Sequence, residues 1–388
     1  MLLLIVLLSS CDRKDIMEGF DRPGASSNPL KPVYSLHLYQ TGNDWTDGDV
    51  SGEDGELQKG LAWPSPRFVD NGDGTTTDNL TGLMWETSPS ATPYDWETTL
   101  SNLPAKNTGG YSDWRMPNRN ELRSLINYRY GTLSSWFSSQ GFSNIQNDYY
   151  WTSTTDYFVK SYAFVFHMQY GDGTGRTKTN MSLLWAVRGT SPSVARTGQT
   201  DCWSSAPALV SCAATGQDGE HQAGVAWPVN RFTDNGNETI TDNLTGLVWA
   251  RDGNLMASRG DHTAGWDAQD GLQDGMVIWW LNATAPRGPY EALAYIQYLN
   301  SIQFGGFNDW RLPNVNELLT LIHYGVSSSA AWLNTQGFVN VLEDSYWVST
   351  THTMWTNNSY RVYMVSGSCV MAVKTESHYI WPVRGGDW

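Results

Sequence analysis

Carboxylates on a glycine-spaced turn, a few cysteines, and aromatics interleaved with short polar residues are the groups in this sequence that could do chemistry. Asp70-Asn71-Gly72-Asp73-Gly74, with Asp78 beyond, sets oxygen donors around a turn that glycine permits, as Ca2+ requires. Asp70, Asp73 and Asp78 are therefore candidate Ca2+ ligands, and no other cofactor is expected. No bidentate Glu follows at EF-hand spacing, and a later, similar stretch has Asn237-Glu238 in place of Asp73-Gly74. The alternative is a hairpin turn capped by its own Asx side chains. Cys202 and Cys212 stand close together in a loop, which reads as a local disulfide formed in an oxidising compartment. A metal pair there lacks partners at the right spacing. Cys369 is left over, either buried or a free thiol. The chain contains no HExxH, no GxSxG and no phosphate-cradling glycine loop. Its seven His are scattered. Arg259-Gly260-Asp261 reads as a chance tripeptide in a chain rich in Gly and Asp. Binding, not catalysis, is expected.

These residues ride on a duplicated frame. Gly109–Tyr128, GGYSDWRMPNRNELRSLINY, returns as Gly305–Tyr324, GGFNDWRLPNVNELLTLIHY. Pro117 and Pro313 keep the preceding residue extended. Asn118 and Asn314 are N-caps, with Glu121 and Glu317 where a capping box needs them. Leu122, Leu125 and Ile126, matched by Leu318, Leu321 and Ile322, form the apolar stripe of a short helix. Ahead of it, GEDGELQKGLAWP at Gly52–Pro64 recurs as GQDGEHQAGVAWP at Gly216–Pro228, an offset of 164 residues; from Gly109 the offset is 196. The 32 extra residues of the second copy lie within about Arg251–Pro289.

The expected fold is α+β. Arg67–Asn71 and Thr75–Trp85 read as strands of a hairpin. Trp96–Leu103 and Tyr290–Asn300 read as a first helix in each copy. Tyr149–Ser153, Ser161–Met168 and Leu183–Arg188 read as strands, with partners at Tyr346–Ser349, Tyr360–Val365 and Tyr379–Arg384. The domains are expected at 41–190 and 197–388, joined by a linker at 191–196. Each carries the full framework and is expected to fold alone. Arg115, Arg311, Arg188 and Arg384 read as framework residues that stack and hydrogen-bond.

Between YWTST and WAVRG in the first copy, and YWVST and WPVRG in the second, length is kept while side chains diverge. That is the pattern of one backbone carrying two surfaces. The second copy offers His352, Trp355, Asn357, Asn358, Tyr360 and Tyr363, with Ser377, His378 and Tyr379 on the return. Rigid aromatics among short polar groups suit a ligand site. The competing reading makes some of them, Tyr360 above all, core strand residues.

Met1–Ser10 is apolar and reads as an export signal too short to span a bilayer. With Leu8-Ser9-Ser10 before Cys11, it resembles the lipobox of bacterial lipoproteins, which implies lipidation of Cys11. Residues 11–40 then form a polar tether, and the expected location is the cell envelope, facing periplasm or cell surface. The formal net charge of −15 argues against nucleic acid as a partner.

DNGDGTTTDNLTGLMW, GGYSDWRMPNRNEL, YWTST and AVRG, echoed by TDNLTGLVW, GGFNDWRLPNVNEL, YWVST and PVRG, resemble the C-terminal domain of the Legionella collagen-like protein. The resemblance implies two tandem C-type-lectin-like domains, each with two short helices and a twisted antiparallel sheet. It implies adhesion or binding of a glycan or protein outside the cytoplasm. The same fold group holds formylglycine-generating enzymes, whose cysteine pair has no match here, so an envelope-modifying enzyme is the weaker alternative. The group also includes receptors diversified by retroelements at their C-terminal loops, a further alternative.

Overall fold

Two capped helices anchor the architecture. The computed structural model describes residues 34, 36–46, 51–261, 276–279 and 291–386. In it the helices are Arg119–Ser124 and Val315–Thr320. Both capping boxes close: Asn118 Oδ1 accepts the Glu121 N–H at 2.9 Å and Glu121 returns the bond to the Asn118 N–H at 2.9 Å. Asn314 and Glu317 do the same at 2.9 and 2.8 Å. Arg115 grips both oxygens of Glu121 at 2.6 Å and donates to the Gly189 carbonyl at 2.8 Å. Arg311 repeats this with Glu317 and Gly385. The start of each helix is thus tied to the end of its own repeat. Arg188 and Arg384 lie over Tyr111 and Phe307 and pair with Asp113 and Asp309. All four arginines are framework.

Each repeat is α+β, and its two ends meet in a small antiparallel sheet. In the first repeat the order is Phe68–Asp70, Thr75–Asp78, Met84–Glu86 and Val187–Arg188. The single strand expected over Thr75–Trp85 is therefore broken. Asp78 accepts the Leu80 N–H at 3.0 Å and the Thr81 hydroxyl at 3.0 Å, and that side-chain capping turns the chain. The first helix runs Trp96–Asn102, and its counterpart Ala292–Ser301, close to expectation. Leu133–Ser139 and Ser329–Thr335 add a helix to each repeat that the sequence did not suggest.

The remaining strands build one sheet from both repeats. Its order is Ser345–Thr351, Asn358–Tyr363, Cys369–Val373, Gly173–Thr177, Tyr162–His167, Tyr149–Thr155. The strands at the joint, Gly173–Thr177 and Cys369–Val373, were not expected from sequence. The first is glycine and polar, without an apolar alternation. The repeats meet where Cys369 pairs with Gly173. A Cβ at Gly173 would come within 2.7 Å of the Phe166 ring, so the joint needs a glycine there. Cys369 is buried and its thiol is pushed up to about 12 by desolvation, which makes it a packing residue and not a reactive thiol.

The segment ahead of each small sheet forms an arm, and the arms are exchanged. Asp54, in the short helix Asp54–Leu57, accepts the hydroxyl of Thr350 in the second repeat at 2.7 Å. Asn314 and Asn316 donate to the carbonyls of Lys59 and Tyr39. In mirror fashion Asp218 accepts from Thr154 of the first repeat at 2.6 Å, and Asn118 and Asn120 donate to Ala223 and Ala195. Each arm also touches its own repeat, since the Tyr128 N–H bonds Thr41 and the Tyr324 N–H bonds Thr197. The frame is thus completed reciprocally, and residues 34–388 cluster as one unit. This qualifies the expectation that each repeat folds alone. It also moves part of the expected tether into the fold, because Leu36 and Leu38 are buried core residues.

The disulfide Cys202–Cys212 forms as expected, on a hairpin of Cys202–Trp203 against Leu209–Val210. Within the insertion, Trp279 does the work of Trp96. Its indole N–H donates to Val348 at 2.8 Å, as that of Trp96 does to Thr152 at 2.8 Å, and Lys374 and Lys178 cover the two rings. Cys11, the export signal and most of the tether lie outside the described residues.

Candidate functional site: an aromatic row across the joint

The divergent loop does keep one backbone. In the second repeat the His352 N–H bonds the Asn358 carbonyl at 3.0 Å and the Asn358 N–H bonds Trp355 at 2.8 Å. In the first, Asp156 bonds Tyr162 at 2.9 Å and Tyr162 bonds Val159 at 2.7 Å. Even the cap is shared in role. Asp156 Oδ1 accepts the N–H groups of Phe158 and Val159, while His352 Nδ1 accepts those of Met354 and Trp355. Desolvation pushes His352 down to about 4, so at neutral pH its imidazole is uncharged and Nδ1 is free to accept. His352 therefore positions the loop, and Trp355 is what the loop presents.

Trp355 stacks on His352 at 4.8 Å and lies 5.3 Å from Tyr170 of the first repeat. The row continues through Tyr170 stacked on His167 at 5.2 Å, then Tyr149, whose face is covered by Arg176 at 4.7 Å. Trp355 is 40% exposed and its neighbour Met354 is 52% exposed. Met354 lies against Gly131 of the first repeat. The result is a partly exposed apolar row that begins in one repeat and ends in the other. An aromatic face held by stacking from behind presents contact area at little entropic cost.

The other candidate residues divide by burial. Asn357 is exposed and Asn358 and Tyr363 are half-buried. Tyr360 is buried, edge-on to Tyr128, and donates to the Tyr170 carbonyl at 2.9 Å, so it is a core residue that supports the row. Ser377 and His378 pair with Val277–Ile278 of the insertion, His378 packs on Trp347, and Tyr379 packs on Tyr346. The structure brings His352, Trp355 and Tyr360 together and engages Ser377, His378 and Tyr379 with other partners. Tyr149, His167 and Tyr170 were missed because they belong to the other repeat.

The carboxylates at the turn have partners of their own. Asp78 is buried and pairs with Arg67 at 3.1 Å. Asp70 accepts the Gly72 N–H and Asp73 that of Thr75. Among the described residues no group of three or more His, Cys, Asp or Glu is placed to hold a metal ion.

These features define a tandem α+β protein whose two repeats share one sheet and present loops at its joint. The chain belongs to the Lcl C-terminal domain family, whose model matches residues 74–188 and again 238–384. That membership points to a role in binding or adhesion. No curated protein matches the chain.

Proposed function

We propose that this protein is a lipid-anchored envelope protein that binds a glycan or protein ligand through the row centred on Trp355. The observation that carries the reading is the exposed Trp355 ring, backed by His352 and flanked by Tyr170 of the other repeat. Pyranose faces stack on such rings, and exposed Trp and Tyr serve equally as protein hot spots. Anchoring through Cys11 would hold the site outside the cytoplasm. No described helix is long and apolar enough to cross a membrane.

The shared loop backbone favours a second reading, a receptor whose C-terminal loops are diversified. A near-copy of the 3′ coding end downstream of the gene, differing at adenines and followed by a reverse transcriptase, would support it. The first reading is tested with a soluble form beginning at Phe20 on glycan arrays and host-cell extracts. A captured ligand should lose at least about 1 kcal/mol of affinity in Trp355→Ala and in Tyr170→Ala. Full affinity in the double variant would move the site off the row.

A further inference from the structure

A groove of about 900 Å3 separates the first helix of repeat one from the disulfide-stapled hairpin of the second arm. Its floor and walls are apolar, from Leu100, Leu103, Pro104 and Val210. Glu97, on the first helix, and Glu220, on the short helix Asp218–His221, both line the groove and are exposed. Glu97 is held by the Ser205 N–H, and Glu220 by the N–H groups of Ala214 and Gly216, so each carboxylate is fixed in place. Arg115 also reaches the groove, but Glu121 neutralises it at 2.6 Å. The site is therefore apolar inside and negative at its edges.

The hairpin supplies a second feature. Cys202 pairs with Val210, and the Ser204 N–H bonds Ala208 at 3.0 Å. In an antiparallel ladder the intervening pair, Trp203 and Leu209, turns its peptide groups outward. The outer side of Trp203 is taken, its N–H by Gln217 and its carbonyl by Lys178. Leu209 instead offers its N–H and carbonyl along an open edge, and its side chain is 63% exposed. The edge is short, as exposed edges usually are, but it carries no charge to repel an added strand. It borders the groove through Val210.

We propose that this groove binds an extended peptide segment that carries lysine or arginine between apolar side chains. The segment would add a strand to Leu209–Val210, lay apolar side chains on Leu100 and Leu103, and reach Glu97 and Glu220 with its cations. The inference stands apart from the Trp355 row, since the two surfaces share no residue.

The test is fluorescence polarisation of the full chain with three labelled probes: Leu-Lys-Val-Lys-Leu, the same peptide with Glu for Lys, and the Lys peptide N-methylated at alternate peptide bonds. The Lys peptide should bind at least about tenfold tighter than either other probe. Ser101→Trp, on the exposed rim, and Val210→Lys should each weaken it by about tenfold, with unchanged melting, and Trp355→Ala should leave it alone. Equal binding of the Glu peptide would overturn the charge argument, and equal binding of the N-methylated peptide the strand argument. No polarisation change with the Lys peptide at millimolar protein, or full binding in both natively melting variants, would overturn the site.

Discussion

Thr154 of the first repeat donates its hydroxyl proton to Asp218 of the second arm at 2.6 Å, and Thr350 does the same for Asp54 at 2.7 Å. Each aspartate also accepts from a threonine of its own arm, Thr197 and Thr41, at 2.7 Å. These two buried carboxyls lock the exchanged arms to the opposite repeats.

The lock should be pH-dependent. Desolvation pushes Asp54 and Asp218 up to about 6, against the pull of the threonine hydrogen bonds. Their unfolded value is about 4. Between those limits the folded protein holds more protons than the unfolded chain, so these groups lower stability as pH rises from about 4 to about 6. Glu317 and Glu121 reinforce the shift, while Arg311 and Arg115 oppose it. Asp172, also at about 6, works in the same sense, whereas His323, His352 and His378, pushed down to about 4, work in the opposite one. The informative quantity is therefore the difference between wild type and Asp54→Asn/Asp218→Asn. Urea midpoints at several pH values should show a changed slope in that window, by up to about 3 kcal/mol per site across it. Parallel curves would remove these residues from the account.

Residues 34–190 and 191–388, expressed apart, should fail to give stable monomers, because each leaves its arm without its docking site. Mixed, they should recover a one-to-one complex. Light scattering after gel filtration distinguishes the cases, and two cooperatively melting monomers would show that the exchange is dispensable.

Glu121→Ala leaves Arg115 buried without its carboxylate and opens the capping box. A loss of about 3–5 kcal/mol in chemical denaturation is expected. Glu317→Ala should match it, since the contacts repeat in the second copy. A loss below about 1 kcal/mol at both sites would mean that the pairs are spectators.

Trp355→Ala should shift stability by less than about 0.5 kcal/mol while weakening ligand capture. Tyr360→Ala should cost about 3–5 kcal/mol, because its ring is buried in the core behind the row. Thermal melts of the two variants side by side separate presentation from support, and equal melting temperatures would contradict that division of roles between Trp355 and Tyr360.

Palmitate labelling of the full chain in a Gram-negative host should be lost in Cys11→Ala. Equal labelling of both proteins would remove the lipid anchor from the proposed function.

Local chemistry alone was enough to determine the capped helices, the duplication, the disulfide and the framework arginines. An Asn–Glu capping box, a cysteine pair ten residues apart or an apolar stripe is decided by neighbours in the chain, so it can be read from the chain. The exchanged arms could not be read this way. The two arms share most of one phrase, GEDGELQKGLAWP against GQDGEHQAGVAWP, and their similar docking sites give a sequence no means of saying which arm meets which repeat. The joint escaped for a related reason: Gly173 pairs with Cys369 across 196 residues, and neither strand carries a strong alternation of its own. The candidate site divides along the same line. Equal length with divergent side chains pointed to the loop at Trp355, but only packing could show that His352 caps it, that Tyr360 is core, and that Tyr170 completes the row from the other repeat.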